Sequence, residues 1–172
     1  MSDGRVRPAD VIGAPLLPPP AATVAGNRLR VLVGRAHRAM VPAPVRVLEG
    51  LWGLLDHAAL VALCDLGVPD ALDRRRTVDE LATAVGADPA ALYRLVRYCA
   101  ARGWLKLDRA GRVRPTACTR FLRSDHPGGW RAWVTFAGGA DVVGATARLA
   151  DAVRTGGDAF SLAHGASFFE WL

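Results

Sequence analysis

The sequence predicts a mainly α chain, a winged helix-turn-helix with a small β-hairpin wing and long flanking helices suited to dimerisation. Three observations carry this. Thr77 and Glu80 stand in T-x-x-E spacing just before an apolar helical repeat, so each side chain can satisfy a free backbone donor of the other. Asp88-Pro89 opens a second repeat with a capping oxygen and the residue best tolerated at a first helical position. Leu105 and Leu107 alternate with Lys106, and Val113 alternates with Arg112 and Arg114, about the turn Asp108-Arg-Ala-Gly111. That is the period of two expected of a hairpin.

The elements follow in order. Residues 1–43 form a leader rich in Ala, Pro, Gly and Arg and expected to be largely disordered, the first 24 residues throughout. Within it, Asn27–Met40 is a candidate short basic helix. Residues 44–127 form the winged-helix dimerisation domain, opened by Pro44. From Val45 to Leu66 the pattern is one long helix with two apolar stripes. Val47, Leu51, Leu54, Leu55 and Ala58 make the first; Leu48, Trp52, Leu60 and Leu63 make the second. A helix apolar nearly all round must be covered on all sides, and a second subunit is the simplest cover. Gly67 ends it, and Val68–Leu72 reads as a short helical turn. Val78, Leu81, Ala82 and Val85 face the core from the next helix, with Gly86 as its stop. Leu92, Leu95, Val96 and Cys99 do so from the one after, and Gly103 ends it. Residues 128–172 form a helical, aromatic connector. Trp130, Trp133, Val134 and Ala137 share one face; Val142, Thr146, Leu149 and Val153 continue another as far as Gly156-Gly157.

Composition excludes several classes. The chain has 172 residues, is 51% hydrophobic and has formal net charge +6, enough apolar content for a packed core. All but one of its 22 basic residues are Arg, the exception being Lys106. The leader carries six basic and two acidic groups, so much of the positive charge lies outside the folded part. A nucleic-acid binder concentrates charge on the domain that docks. The three cysteines, Cys64, Cys99 and Cys118, are far apart and form no C-x-x-C pair. This argues against zinc and against a disulfide framework, and places the chain in a reducing, cytoplasmic setting. Cys99 reads as a small buried hydrophobe. No apolar run reaches the roughly 18 residues of a membrane span. The N-terminus, broken by Pro15 and Pro18–Pro20, makes a poor signal peptide. No membrane partner is expected.

The chemistry-bearing residues are sparse. No nucleophile elbow, phosphate loop or metal-ligand cluster is present, so no catalytic, cofactor or metal residue is assigned. His37, His57, His126 and His164 are isolated. His57, inside the long apolar helix, reads as a hydrogen-bonded structural histidine; His164 is placed in a loop between aromatics. Gly138-Gly139 follows no strand and lacks G-x-G-x-x-G spacing, so it reads as a helix break. Arg94, Arg97 and Arg102, with Lys106, Arg109, Arg112 and Arg114, could meet phosphates. The alternative function is therefore a winged-helix DNA-binding transcription regulator. Asp79, Glu80 and Asp88 would repel a phosphate backbone there, and nucleic acid is not the expected partner.

Residues 47–127 resemble the N-terminal dimerisation domain of the S-adenosylmethionine-dependent O-methyltransferases, the plant caffeate-type and bacterial polyketide-tailoring enzymes. The resemblance rests on ALVALCDLGVPDAL, TVDELATAVGADPAALYRLVRYCAARGWL and GRVRPTACTRFLRSDHPGG, and it extends through AVRTGGDAFSLAHGASFFEWL. It implies methyl transfer to a hydroxyl of a small molecule. It also implies a Rossmann-like domain after this one, holding the cofactor loop, an acidic ribose contact and a general base. Those features are missing here, so S-adenosylmethionine is implied for the full-length family and no cofactor for this chain, which is expected to be truncated and inactive alone. The implied partner is a second copy of the chain; a catalytic half on a separate polypeptide is the alternative to truncation. Leu48, Leu51, Trp52 and Leu55 are the expected dimer interface. Trp133, Phe136, Phe160, Phe168 and Phe169 are the expected wall of the acceptor pocket.

Overall fold

The computed structural model describes residues 20–171; the disorder expected before residue 20 lies outside them. The described chain is mostly helical with one small antiparallel sheet. The described residues divide after His57 into two compact units, 20–57 and 58–171.

The first unit holds α1 (Pro20–Met40) and the opening turns of α2 (Ala43–Asp65). Helix α1 starts seven residues before the expected Asn27, so residues 20–24 are helical rather than disordered. The Ala-rich segment PAATVA carries no helix breaker after Pro20, and Pro is tolerated at a helix start. By length and composition α2 is also apolar enough to cross a membrane. The expectation that no apolar run reaches that length is corrected here, because the few polar residues of α2, such as Glu49, Asp56 and His57, interrupt the run without offsetting its apolar majority.

In the second unit, the last turns of α2 bury Ala59, Leu63 and Cys64. Next come α3 (Val68–Ala71), β1 (Arg76–Thr77), α4 (Val78–Val85) and α5 (Pro89–Ala101). The hairpin follows as β2 (Leu105–Leu107) and β3 (Arg112–Pro115), and then α6 (Ala117–Phe121). The expected capping box is formed: Glu80 N–H donates to Thr77 Oγ1 at 3.2 Å, and Thr77 N–H donates to Glu80 Oε2 at 2.8 Å. Asp88 caps α5, its Oδ1 accepting from Ala91 N–H at 2.7 Å. The core joins Leu63, Val68, Leu72, Leu81, Leu92, Val96, Cys99, Leu105 and Val113, each side chain almost wholly removed from solvent. Cys99 sits in it as expected. Thr77→Ala deletes the acceptor that holds the start of α4 and is expected to lower stability by about 1 kcal/mol. Thr77→Ser keeps the hydroxyl and should restore most of it; urea midpoints of the three proteins check this.

The sheet order is β1-β3-β2. The hairpin pairs Leu105 with Pro115, Lys106 with Arg114 and Leu107 with Val113. Strand β1 adds to its other edge, Arg76 opposite Val113 and Thr77 opposite Arg112. A two-residue strand has no periodicity to read, so the sequence did not reveal it. Asp108 organises the turn: its Oδ1 accepts from Ala110 and Arg112 N–H, and its Oδ2 accepts from Arg75. Gly111 takes φ +70° there, a left-handed conformation that strains any side-chain-bearing residue.

Five helices follow: α7 (Trp130–Ala137), α8 (Ala140–Thr146), α9 (Leu149–Thr155), α10 (Ala159–His164) and α11 (Phe168–Trp171). The helix expected to run from Val142 to Val153 is two. At the break Arg148 N–H bonds back three residues to Ala145 O, and Ala152 N–H then starts a new ladder on Arg148 O. Gly138-Gly139 is a helix break, ending α7 and capping α8.

Several carboxyls are held below their ordinary range by the groups that use them as acceptors. Glu80 is held down first by the Thr77 backbone N–H, Asp108 by that of Arg112, and Asp158, which caps α10, by Ser161. A depressed folded-state pKa contributes stability that is present above the unfolded value and disappears as pH falls through the folded one. Stability is therefore expected to be level at neutral pH and to decline as pH falls below the ordinary carboxylate range; urea midpoints across an acid pH series check it.

Candidate functional site

Two surfaces stand out, one in each unit. The first is the stripe on α2. Leu48, Leu51, Trp52 and Leu55 recur at helical spacing, yet they are 42–68% exposed, and Val47 and Leu54 beside them are exposed as well. An apolar strip several turns long on a helix is the kind of patch that marks an interaction surface.

The second is aromatic. Phe168 joins two groups, with its ring 5.9 Å from Phe136 and 5.3 Å from Phe160. Trp133 meets Phe136 edge-on at 6.1 Å, and Phe169 meets Phe168 at 5.6 Å. All five residues expected to form a pocket wall thus lie in one cluster built from α7, α10 and α11. Their exposures differ sharply: Phe160 is buried, whereas Phe169 is 87% exposed. Trp171 and His164 complete the cluster around Phe160, at 5.4 and 4.4 Å. His164 is the last residue of α10 rather than a loop residue, and its Nε2 lies 2.9 Å from Asp141 O. That bond holds α10 to the start of α8.

Sequence reasoning missed the group that orients α7. Asp70 Oδ1 accepts from both Ser124 N–H and Oγ–H, at 2.8 and 3.0 Å. Its Oδ2 accepts from Arg131, whose other nitrogen donates to Cys64 O at 2.6 Å. These partners lie 54 to 67 positions apart in the chain, beyond the reach of any local pattern. Beside this group, Arg123, Ser124, Gly129, Arg131, Thr135 and Phe136 line an open depression of about 450 Å³. Cys64, buried under Arg131, has its thiol pushed above the usual range by burial.

One expectation meets the structure differently. His57 is not hydrogen-bonded: its Nε2 is shielded without a partner. The residues three and four positions away, Gly53, Leu54, Leu60 and Val61, offer no side-chain acceptor. Of the basic side chains weighed for DNA, Lys106 and Arg114 are cross-strand partners and exposed, as is Arg112. Asp88 and Glu80 are occupied in helix caps.

The described residues do not fit S-adenosylmethionine. Their one sheet is antiparallel, and no strand runs into a glycine-rich loop at a helix N-terminus, the arrangement that cradles a dinucleotide-like cofactor. No metal-binding group of His, Cys, Asp and Glu occurs among the described residues.

Comparison with known proteins identifies this arrangement. Residues 48–125 match the model of the O-methyltransferase dimerisation domain. The chain is 37% identical over 114 residues to the 8-amino-8-demethylriboflavin N,N-dimethyltransferase of Streptomyces davaonensis, covering 66% of this chain and 33% of that protein. It is 34% identical over 137 residues to the O-demethylpuromycin-O-methyltransferase of Streptomyces alboniger, covering 79% and 36%. Among solved structures, N,N-8-amino-8-demethyl-D-riboflavin dimethyltransferase from Streptomyces davawensis superposes with TM-score 0.66 at 34% identity, over 77% of this chain and 40% of that one. The chain thus spans about a third of the length of the curated relatives it matches. Residues 48–125 belong to the O-methyltransferase dimerisation-domain family.

Proposed function

We propose that this chain is the dimerisation and acceptor-wall module of an S-adenosylmethionine-dependent methyltransferase that modifies a small molecule in the cytoplasm. In this reading residues 44–127 are a winged helix-turn-helix used for assembly. Residues 128–172 are a connector of the kind that leads, in a full-length relative, to the cofactor-binding domain. The observation that carries the reading is the exposed stripe Leu48, Leu51, Trp52 and Leu55, which falls inside the span matched to a dimerisation domain. Two copies joined along it would cover what a single copy leaves in water. The helix, helix, hairpin order, closed by β1 on the edge of β3, supports the winged-helix assignment.

The aromatic cluster supports the wall. Phe160 and Phe168 supply a packed base, while Trp133 and Phe169 keep exposed ring surface on which a planar acceptor can lie. The matched relatives are named for a flavin amine and for a puromycin hydroxyl, so the acceptor atom here is an oxygen or nitrogen on a flat molecule. This chain contributes shape and no chemical step.

Sedimentation at micromolar concentration tests the assembly, with a dimer mass expected; a stable, folded monomer would refute the reading. Calorimetry with S-adenosylmethionine tests the division of labour. No stoichiometric heat is expected from this chain, and clear one-to-one binding would overturn the assignment.

A further inference from the structure

Helix α1 carries a surface that neither the core nor the matched family span accounts for. It ends before residue 48, where the match begins. Leu29, Leu32, Val33, Ala36 and Met40 fall at i, i+3, i+4, i+7 and i+11, one stripe along an α-helix. Leu29, Leu32 and Val33 are 59–64% exposed, and Met40 more so. Arg28 and Arg35 border the stripe on one side, and Arg30 and His37 on the other. Each pair is seven residues apart, two turns along the same line. No acidic residue occurs between Asp10 and Glu49.

The combination selects among occupants. Two copies of α1 laid face to face would bring cationic borders together with no carboxylate to offset them, and like charges beside a helix seam destabilise it. A nucleic acid would meet the arginines but leave the leucines in water. An anionic bilayer surface satisfies both features. The apolar stripe enters the boundary between headgroups and acyl chains, while the arginine stems run along its borders and place their guanidiniums at the phosphates. We propose that α1 docks this chain on an anionic lipid surface, lying in the interface plane. The proposal goes beyond the dimer reading and does not depend on it.

Flotation of the full chain with vesicles tests it. Binding is expected to phosphatidylglycerol-containing vesicles at low salt, with loss in high salt and on pure phosphatidylcholine. Each arginine at such a surface is worth roughly fivefold in partitioning, so R28Q/R35Q should weaken binding about twenty-five-fold. L29Q/V33Q should weaken it comparably while leaving the sedimenting mass and helical circular dichroism unchanged. Absence of wild-type binding to phosphatidylglycerol overturns the proposal. So does a halved mass in L29Q/V33Q, which would make the stripe a subunit contact. A third contrary result is unaltered binding by L29Q/V33Q, with duplex DNA competing fully, which would leave only a cationic surface.

Discussion

The double substitution L51D/L55D is expected to halve the sedimenting mass of the chain at micromolar concentration. Both leucines lie on the exposed stripe of α2, outside the core formed by Leu63, Leu81 and their neighbours. Burying a leucine fully is worth about 1.5–3 kcal/mol, and a dimer with this interface would bury each leucine twice, once per subunit. The new carboxylates add the cost of removing unpaired charge from water. A loss beyond about 5 kcal/mol follows, more than a thousandfold in the dissociation constant. Circular dichroism should stay that of a folded helical chain, since neither position supports the core. A dimer that survives the substitution would place the subunit contact elsewhere.

The second large effect is expected at Leu81. Its side chain is wholly buried on α4, in the same cluster as Val68, Val96 and Leu105. Leu81→Ala removes three methylene-sized groups from a packed site and leaves a cavity, at about 3 kcal/mol. Leu54→Ala on the exposed face of α2 is the matched control within a monomer, with a change under about 0.5 kcal/mol. Because dimerisation would itself stabilise the fold by mass action, the comparison belongs on the L51D/L55D background. Urea denaturation should show a large fall in midpoint for Leu81→Ala and almost none for Leu54→Ala. Equal losses would mean that the core has been misplaced.

What the sequence made legible was local. The Thr77–Glu80 box, the Asp88 cap and the Asp108 turn each need only residues three or four apart, so spacing alone reveals them. The buried face of α5 was legible for the same reason, since Leu92, Val96 and Cys99 repeat with the helix. Strand β1 was not legible, because its two residues owe their strand geometry to β3, more than thirty positions on. The split of the Val142–Val153 segment was hidden as well: the apolar period continues through Arg148 although the backbone ladder does not. Among site residues, the aromatic cluster could be suspected from the crowding of Phe160, Phe168 and Phe169 near each other. The Asp70–Arg131 pair could not, since both look like ordinary surface charges in a chain full of arginine. His57 shows the opposite error. A histidine on an apolar helix reads as hydrogen-bonded, yet its Nε2 has no partner.

The Asp70–Arg131 pair has a mechanical consequence. Asp70 sits just beyond α2, and Arg131 is the second residue of α7, the helix that presents Trp133 and Phe136. One carboxylate on α3 therefore works as a tie-rod to the aromatic shelf, and the Cys64 carbonyl in the last turn of α2 stops the guanidinium from swivelling. The tilt of the shelf is thus set within the second unit, by α3 and the last turn of α2.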